Sequence, residues 1–94
     1  MCEGMLASSK VKISPRVHSR PFGEDLVVLD FAGGDYYGLD PVGTSIWRGI
    51  ERGLTLEEIA IAIAAEFEVS REAALTDVIG IVEKLRAKSL VELA

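Results

Sequence analysis

The order of apolar and polar residues in the first half of the chain predicts three β-strands. Residues 11–14 alternate apolar and polar side chains before Pro15, a pattern typical of a short strand that ends at the proline. Residues 26–29 are all strand-forming apolar residues. Because this run is apolar on both faces, it predicts the central strand of a sheet. Residues 36–39 predict a third strand that returns beside it.

The segments between these strands contain residues that favour loops and turns. Residues 16–24 include Pro21 and Gly23 and predict a loop. Gly33 and Gly34 predict a tight two-residue hairpin turn, because glycine accepts the positive φ angles that such turns need. The third predicted strand then lies at the border of the sheet, with no evident segment to cover it. We therefore expect an open edge, which is a natural binding site for an extended peptide.

Three helices follow, and the first two have clear starting signals. Asp40 is a good N-cap and Pro41 suits the first helical position. Residues 55–58, Thr-Leu-Glu-Glu, form a capping box for the second helix. The many alanine and isoleucine residues of this second helix predict burial on most of its sides. At the end of the chain, residues 90–93 predict either an added strand or a packed tail.

The third helix, predicted from its cap at Ser70 to about Lys88, has more apolar surface than docking requires. At about 100° per residue, one group of residues forms a core-facing stripe: Leu75, Val78, Ile79 and Val82. A second group widens the apolar arc to about 160°: Ala74, Ile81 and Leu85. Charged residues border this flank: Asp77, Lys84 and Lys88. The flank is either wedged between the sheet and the second helix or forms the wall of a groove.

Length and composition restrict the class of protein. The 94 residues suffice for one domain, which we predict over residues 10–94 after a flexible segment of residues 1–9. The net charge of −5 repels phosphate and argues against nucleic-acid binding. The single cysteine, Cys2, cannot form an intramolecular disulfide, which suits a reducing compartment. No segment resembles a signal peptide or a membrane span, so we expect a cytoplasmic protein without membrane attachment.

The sequence offers little for catalysis or for metal binding. His18 is the only histidine and Cys2 the only cysteine, so the usual ligand clusters for transition metals cannot be assembled. No serine lies in a nucleophile-elbow motif, and Gly33 and Gly34 do not belong to a phosphate-binding glycine pattern. We therefore predict a protein that is not an enzyme, with no catalytic residues, no metal and no cofactor.

Several segments together resemble the PqqD-like proteins. They are GDYYGLDPVGTSIW at 34–47, LTLEEI at 54–59, AAEF at 64–67, and the later residues Asp77, Val78, Leu85, Ser89, Leu90 and Val91. The resemblance extends over residues 11–93. It implies an α+β, winged-helix-like fold, with a three-stranded antiparallel sheet followed by three helices. Where this family often has a glycine before the final Leu-Val, this chain has Ser89.

The resemblance implies a RiPP recognition element, which is a domain that binds the leader segment of a ribosomally made precursor peptide. The leader adds as a strand beside the third strand and lies against the third helix. The bound precursor is then presented to a modifying enzyme. In lasso-peptide pathways, whose members this short chain resembles more closely, that partner is a leader-cleaving peptidase. In the pyrroloquinoline quinone pathway it is a radical enzyme.

The peptide-binding site that the resemblance implies has a strand side and a helix side. The strand side is formed by Asp35, Tyr36, Tyr37, Gly38 and Leu39. The helix side is formed by Ala74, Asp77, Val78, Ile81, Lys84, Leu85 and Lys88. We expect the core to contain Leu39, Ile46, Trp47 and Val82. The sequence does not determine which face of the sheet Tyr36 and Tyr37 occupy, because a one-residue slip exchanges them.

Two alternatives come from other classes of function. A winged-helix DNA-binding regulator would use the third helix for recognition, and that helix should be basic near its start. It has Arg71 there, but also Glu72 and Asp77. A structural subunit that dimerises through the apolar second helix is the other alternative. We expect a monomer or a weak dimer, because an open strand edge can pair with a copy of itself.

Overall fold

The computed structural model describes residues 9–31 and 33–93. Its strands are β1 (Val11–Ile13), β2 (Val17–Phe22), β3 (Asp25–Asp30), β4 (Asp35–Leu39) and β5 (Val91–Leu93). Its helices are α1 (Pro41–Glu51), α2 (Leu56–Phe67) and α3 (Arg71–Ala87). The predicted flexible segment, 1–9, lies outside the described residues except for Ser9. The carbonyl of Ser9 accepts a hydrogen bond of 2.9 Å from the backbone N–H of Leu56.

The main sheet is antiparallel, in the order β2-β3-β4. Its centre is β3, as the apolar run at residues 26–29 predicted. Leu26 and Val28 of this strand are fully buried, whereas Val27 and Leu29 are half-buried on the other face. Within the described part of the chain, no strand pairs with the outer side of β4. The predicted strand at residues 36–39 is therefore a border strand, as expected.

The other border strand is not the one that the sequence predicted. Residues 16–24, predicted as a loop, form β2 and a tight turn, while β1 pairs with β5 in a separate two-stranded sheet. Pro21 is tolerated because β2 is an edge strand and needs no ladder bond on its outer side. Gly23, at φ +67°, provides the positive angle for the turn. The residues at 90–93 thus contribute a strand rather than a packed tail.

The connection between β3 and β4 is longer than predicted. Asp30 and Asp35 pair across the two strands, so the connection is longer than Gly33 and Gly34 alone. Gly34 has φ +74°, and its N–H donates to the carbonyl of Asp30 at 2.8 Å. The N–H of Gly33 donates to the Asp30 carboxylate at 3.3 Å. The buried Asp30 side chain thus organises a wider loop, which a pattern of two glycines does not reveal.

The predicted helix starts are confirmed by the hydrogen bonds at each cap. The carboxylate of Asp40 accepts from the N–H of Gly43 at 2.8 Å. The Oγ1 of Thr55 accepts from Glu58 N–H, and the Glu58 carboxylate accepts from Thr55 N–H, which completes the capping box. The hydroxyl of Ser70 accepts from an N–H of the first turn of α3 at 3.1 Å. These caps fix where the chain turns from strand or loop into helix.

At the end of α3, Ser89 has a left-handed backbone conformation. The PqqD-like proteins that the sequence resembles often have glycine at this position. Ser89 has φ +62°, a conformation that costs an L-residue other than glycine about 1 kcal/mol. Its N–H donates to the carbonyl of Arg86 at 2.9 Å, and its own carbonyl accepts from the buried hydroxyl of Ser14 at 2.7 Å. These hydrogen bonds hold the turn in place, so α3 can end here although the chain has serine rather than glycine at position 89.

The core lies between the inner face of the sheet and the three helices. Its fully buried side chains include Trp47, Leu26, Ile46, Leu56, Ile59, Leu90, Val28, Val78 and Val82. The predicted core positions Ile46, Trp47 and Val82 are confirmed, and Leu39 is half-buried against the same cluster. The stripe of α3 that faces the core is rotated relative to the prediction. Ala74 and Leu85 are buried, whereas Leu75 and Ile79 are only half-buried.

Helix α2 is less buried than its composition predicted. Leu56, Ile59, Ala60 and Ile63 face the core, but Ala62 and Ala65 are exposed and Ile61 is 42% exposed. The helix packs against α1 and α3, and its buried residues are confined to one stripe. The alanines therefore reflect helix propensity as much as burial, and a count of apolar residues overstates how many sides are covered.

Two helical glycines should respond in opposite ways to replacement by alanine. A Cβ at Gly49 would lie 2.7 Å from Cγ1 of Ile59, where α1 crosses α2, whereas a Cβ at Gly80 meets nothing within 4 Å. We expect Gly49→Ala to lower the free energy of unfolding by about 1–2 kcal/mol through overpacking. Gly80→Ala should raise it by about 0.5–1 kcal/mol through helix propensity. Thermal unfolding followed by circular dichroism measures both, and stabilisation by both variants would contradict the close helix contact.

Candidate functional site

The direction of the backbone groups of β4 follows from the register of the sheet. Along an antiparallel strand, successive residues turn their N–H and C=O to alternate neighbours. The N–H of Phe31 donates to the carbonyl of Arg16 at 3.4 Å, on the β2 side of β3. The N–H of Val17 donates to Ser14 rather than to Asp30, its partner in the register. Asp30 therefore turns its backbone groups toward β4.

This alternation identifies the backbone groups that β4 leaves free for a partner. The pairs that exchange hydrogen bonds between β3 and β4 are Asp30 with Asp35, Val28 with Tyr37, and Leu26 with Leu39. Tyr36 and Gly38 lie between these positions, so their N–H and C=O groups point away from β3. Gly38 has no side chain, and the space around its Cβ position is empty within 4 Å. An additional strand could approach β4 closely at this point.

A cavity of about 350 Å³ lies beside this open edge, between β4 and α3. Its lining comes from β4, from the start of α1, from α3 and from the turn after α3. The lining residues are Tyr37, Gly38, Leu39, Asp40, Gly43, Ile81, Lys84, Leu85, Lys88 and Leu90. We call this space the β4–α3 groove. A strand added to β4 would place every second side chain over it, because side chains alternate between the two faces of a sheet.

The β4–α3 groove has an apolar floor and a basic rim. Leu85 and Leu90 are buried, and Ile81 is half-buried, so the floor is made of aliphatic side chains. Lys84 and Lys88 are exposed above it on successive turns of α3. The Nζ of Lys88 lies 4.8 Å from the centre of the Tyr37 ring, which is a cation–π contact across the groove.

The structure separates the predicted site residues into three groups. Seven line the groove: Tyr37, Gly38, Leu39, Ile81, Lys84, Leu85 and Lys88. Two others belong to β4 but lie outside the lining: Asp35 and Tyr36. The remaining three lie on α3: Ala74 and Val78, which are fully buried in the core, and Asp77, which is exposed one turn before Ile81. The two buried side chains belong to the core and do not line the groove.

The two tyrosines of β4 lie on opposite faces of the sheet. Tyr37 packs against the core and borders the groove, whereas Tyr36 is 73% exposed on the outer face, opposite Leu29. Only the register of β4 against β3 determines which of the two tyrosines lies on which face of the sheet.

Three lining residues were not predicted as part of the site: Asp40, Gly43 and Leu90. Asp40 was recognised only as a helix cap, and its position directly after the border strand was the available signal. Gly43 belongs to the same first turn of α1. Leu90 reaches the groove because the left-handed residue before it turns the chain back under α3, and no local pattern reveals such a turn.

The other large cavities have features that make them weaker candidates. One of about 270 Å³ lies between α1 and α2, where three of its polar side chains already have partners. Ser45 donates to Glu66 at 2.9 Å, and Arg48 pairs with Glu51 at 3.2 Å. Another, of about 520 Å³, lies beside β1, a strand of only 3 residues. Neither combines an apolar floor with a free strand border of the main sheet.

The described residues also bear on metal binding and on membrane insertion. Residues 9–31 and 33–93 contain no group of three or more His, Cys, Asp or Glu side chains placed to hold a metal ion. In the same part of the chain, no helix has both the length and the apolar character needed to span a bilayer. What the groove offers is backbone hydrogen-bonding groups, aliphatic contacts and positive charge, which are the means of binding a peptide.

Comparison with protein families identifies the chain's relatives. The model of the PqqD family, described as coenzyme PQQ synthesis protein D, matches residues 25–91. The chain belongs to the PqqD family. The matched residues of this PqqD-family chain run from the first residue of β3 into β5, so they include both sides of the β4–α3 groove. The family predicted from the sequence is thereby confirmed.

Two solved structures share the fold of this PqqD-family chain. The structure of TbiB1 in complex with the TbiA(beta) leader peptide is 40% identical, with a TM-score of 0.82, and the match covers 86% of this chain and 94% of TbiB1. A lasso peptide synthetase B1 complexed with its leader peptide has a TM-score of 0.81 over 87% of this chain and 96% of that one. At 22% identity, the second supports the fold alone. The predicted α+β, winged-helix-like fold is confirmed. A search of curated proteins finds no match.

Proposed function

We propose that this chain is a RiPP recognition element of lasso-peptide biosynthesis. It binds the leader of a ribosomal precursor peptide as an added strand on β4, in the β4–α3 groove. It then presents the bound precursor to a leader peptidase or another modifying enzyme and performs no catalysis itself. We further propose that it works in the cytoplasm, as a monomer or a weak dimer.

The observation that carries this proposal is the open edge of β4 beside an apolar groove. Tyr36 and Gly38 direct their backbone groups to that edge, and Tyr37 and Leu39 direct their side chains to the groove. In strand addition, backbone bonds provide affinity and alternate side-chain pockets provide specificity. The 40% identity to TbiB1, whose structure contains the TbiA(beta) leader peptide, supports the same type of ligand.

The expected strength of binding suits a carrier that must release its peptide. Each backbone hydrogen bond to β4 would contribute about 1 kcal/mol net. One buried side chain the size of leucine or tyrosine would add about 1.5–3 kcal/mol. After the cost of ordering a flexible peptide, a few of each correspond to a dissociation constant of about 1 μM.

The pathway assignment rests on the relatives. Both similar structures are named for TbiB1 or for a lasso peptide synthetase B1, whereas the family model is named for coenzyme PQQ synthesis. The 40% identity to TbiB1 over most of both chains supports a leader-binding member, and the lasso-type partner, a leader peptidase, is the one that the sequence resemblance implies. A precursor chaperone for a radical enzyme, as in the pyrroloquinoline quinone pathway, is the second candidate.

DNA binding has weaker support from the charges of α3. A recognition helix presents basic side chains to phosphate and bases near its start. Here Arg71 is followed by Glu72 and, two turns into the helix, by Asp77, all of them exposed. The other basic side chains of α3, Lys84 and Arg86, lie in its last turn. Of these, Lys84 lines the groove, together with Lys88 directly after the helix.

The proposed function can be tested by fluorescence anisotropy. The labelled probe is the leader half of a short precursor peptide encoded beside the gene for this chain, and a scrambled leader is the control. We expect saturable binding in the micromolar range that is lost when the apolar residues of the leader become alanine. In a gel-shift experiment at physiological salt, labelled duplex DNA should remain unshifted. Absence of leader binding up to high micromolar concentration, or a specific shift of DNA, would overturn the proposal.

A further inference from the structure

The rim of the β4–α3 groove carries a local positive charge in an acidic protein. The chain has a net charge of −5, yet the charged residues that α3 and its C-cap contribute to the groove lining are both lysines, Lys84 and Lys88. Four residues apart, they lie on the same side of the helix, one above the other. Both side chains are exposed and free to meet a ligand at the mouth of the groove.

These lysines have no carboxylate partner within the described part of the chain. The ion pairs found there are Lys12 with Glu92, Arg16 with Asp30, and Arg48 with Glu51. The one acidic residue of the groove lining, Asp40, already accepts the N–H of Gly43 as the cap of α1. Lys88 is positioned instead by the ring of Tyr37, 4.8 Å from its Nζ.

In the absence of a peptide, the two neighbouring lysines lower the stability of the protein, because like charges four residues apart on a helix repel one another. Part of that cost is offset by the negative end of the α3 dipole, which favours positive side chains in the last turn. The dipole, however, acts on Arg86 as well, and Arg86 points to a different part of the surface, beside Arg16 and Val91. The dipole therefore does not explain why two lysines face the groove.

We propose that the groove selects an extended peptide in which an acidic side chain flanks an apolar anchor. The proposal rests on the proposed function and states the chemistry of its ligand. In an added strand, the side chain opposite Tyr37 points to the groove face, where the aliphatic floor accepts it. Lys88 lies over that position, and Lys84 lies one turn earlier. A carboxylate at a neighbouring groove-facing position of the peptide completes the charge pairing that the protein itself lacks.

The ligand chemistry can be read from a library of 12-residue synthetic peptides with one fixed leucine and randomised flanking positions. Peptides retained by the wild-type protein should be enriched in Asp or Glu at a fixed distance from the leucine. For the best acidic peptide, we expect the double variant Lys84→Gln, Lys88→Gln to bind about five- to tenfold more weakly. The difference between wild type and variant should shrink as salt is raised from 50 mM to 500 mM, because salt screens exposed charges.

The variant Arg86→Gln is the control for the single variant Lys84→Gln, because each removes one positive charge from the last turn of α3 and Arg86 lies outside the groove. It should leave both the acidic preference and the affinity unchanged. Retained peptides with an apolar preference but no acidic preference would overturn this inference and leave the proposed function intact. Equal loss of affinity in Arg86→Gln would assign the effect to the net charge and also overturn it. If no peptide is retained although the labelled leader binds, this inference is overturned; if the leader does not bind either, the proposed function itself fails.

Discussion

Replacing Gly38 with proline should weaken peptide binding about a hundredfold while the protein stays folded. The N–H of Gly38 points to the open edge of β4, so proline removes a bond to the incoming strand and no bond to β3. The lost bond, with the peptide carbonyl that it leaves unpaired, corresponds to about a hundredfold weaker binding. Anisotropy with the labelled leader measures the affinity, and thermal unfolding measures the stability.

Gly38→Ala is the control for this experiment. A Cβ at this position meets nothing within 4 Å, and alanine keeps the N–H, so we expect affinity within about threefold of the wild type, a change of well under 1 kcal/mol. Unchanged binding in the proline variant would exclude strand addition at β4. Equal loss in both variants would point to a steric effect at the outer face of the sheet rather than to the backbone bond.

Replacing Ile81 with aspartate should weaken peptide binding far more than it lowers the melting temperature. Ile81 is half-buried and lines the β4–α3 groove. In the free protein, a carboxylate there can reach water through the open mouth of the groove. In the complex it would lie against the apolar anchor of the peptide and lose that hydration. Loss of the contact, about 1.5–3 kcal/mol, together with the desolvation penalty corresponds to about a hundredfold or greater loss of affinity.

Ile79→Asp provides the matched control on the same helix. Ile79 is also half-buried against the core but does not line the groove. We expect it to lower the melting temperature at least as much as Ile81→Asp and to leave the affinity of the folded protein unchanged. If both variants lose stability and affinity in parallel, Ile81 belongs to the core and the groove is not the binding surface.

The features that the sequence predicted well depend on residues close together in the chain. Each helix cap needs a side-chain oxygen within three residues of the N–H that it accepts, so Asp40, Thr55 and Ser70 were identifiable from spacing alone. The central strand was evident because residues 26–29 are apolar on both faces. Since residues 35–39 follow it after a short loop, their place beside β3 was also predictable.

The errors concern choices that depend on distant parts of the chain. β1 pairs with β5, about eighty residues away in sequence, and nothing in residues 11–14 distinguishes that partner from β3. β2 contains Pro21 and polar residues, so its composition is typical of a loop; only its place at the edge of the sheet makes a strand acceptable. The rotation of α3 was misjudged because Leu75 and Ile79 are as apolar as the residues that are buried.

The juxtaposition of β4 and α3 was predictable from the sequence, whereas its role as the peptide-binding site stays a prediction. The open border of β4 and the flank of α3 were expected to lie together, and they do. The backbone direction of Tyr36 and Gly38 could not be predicted, because it depends on the pairing of β2 with β3, and β2 was not recognised. The burial of Ala74 and Val78 depends on the packing angle of α3 against the sheet, which the sequence does not specify.

If a peptide binds as we propose, the short free border of β4 would also limit how long it stays bound. Two residues with one N–H and one C=O each allow at most four backbone hydrogen bonds to an added strand. At a dissociation constant of about 1 μM and an association rate of about 10⁵–10⁷ M⁻¹s⁻¹, the complex dissociates at about 0.1–10 s⁻¹. A peptide would therefore leave within about ten seconds. A modifying enzyme that needs longer than this to process the precursor would have to bind the precursor itself. Otherwise, the precursor would have to be delivered again by another molecule of this protein.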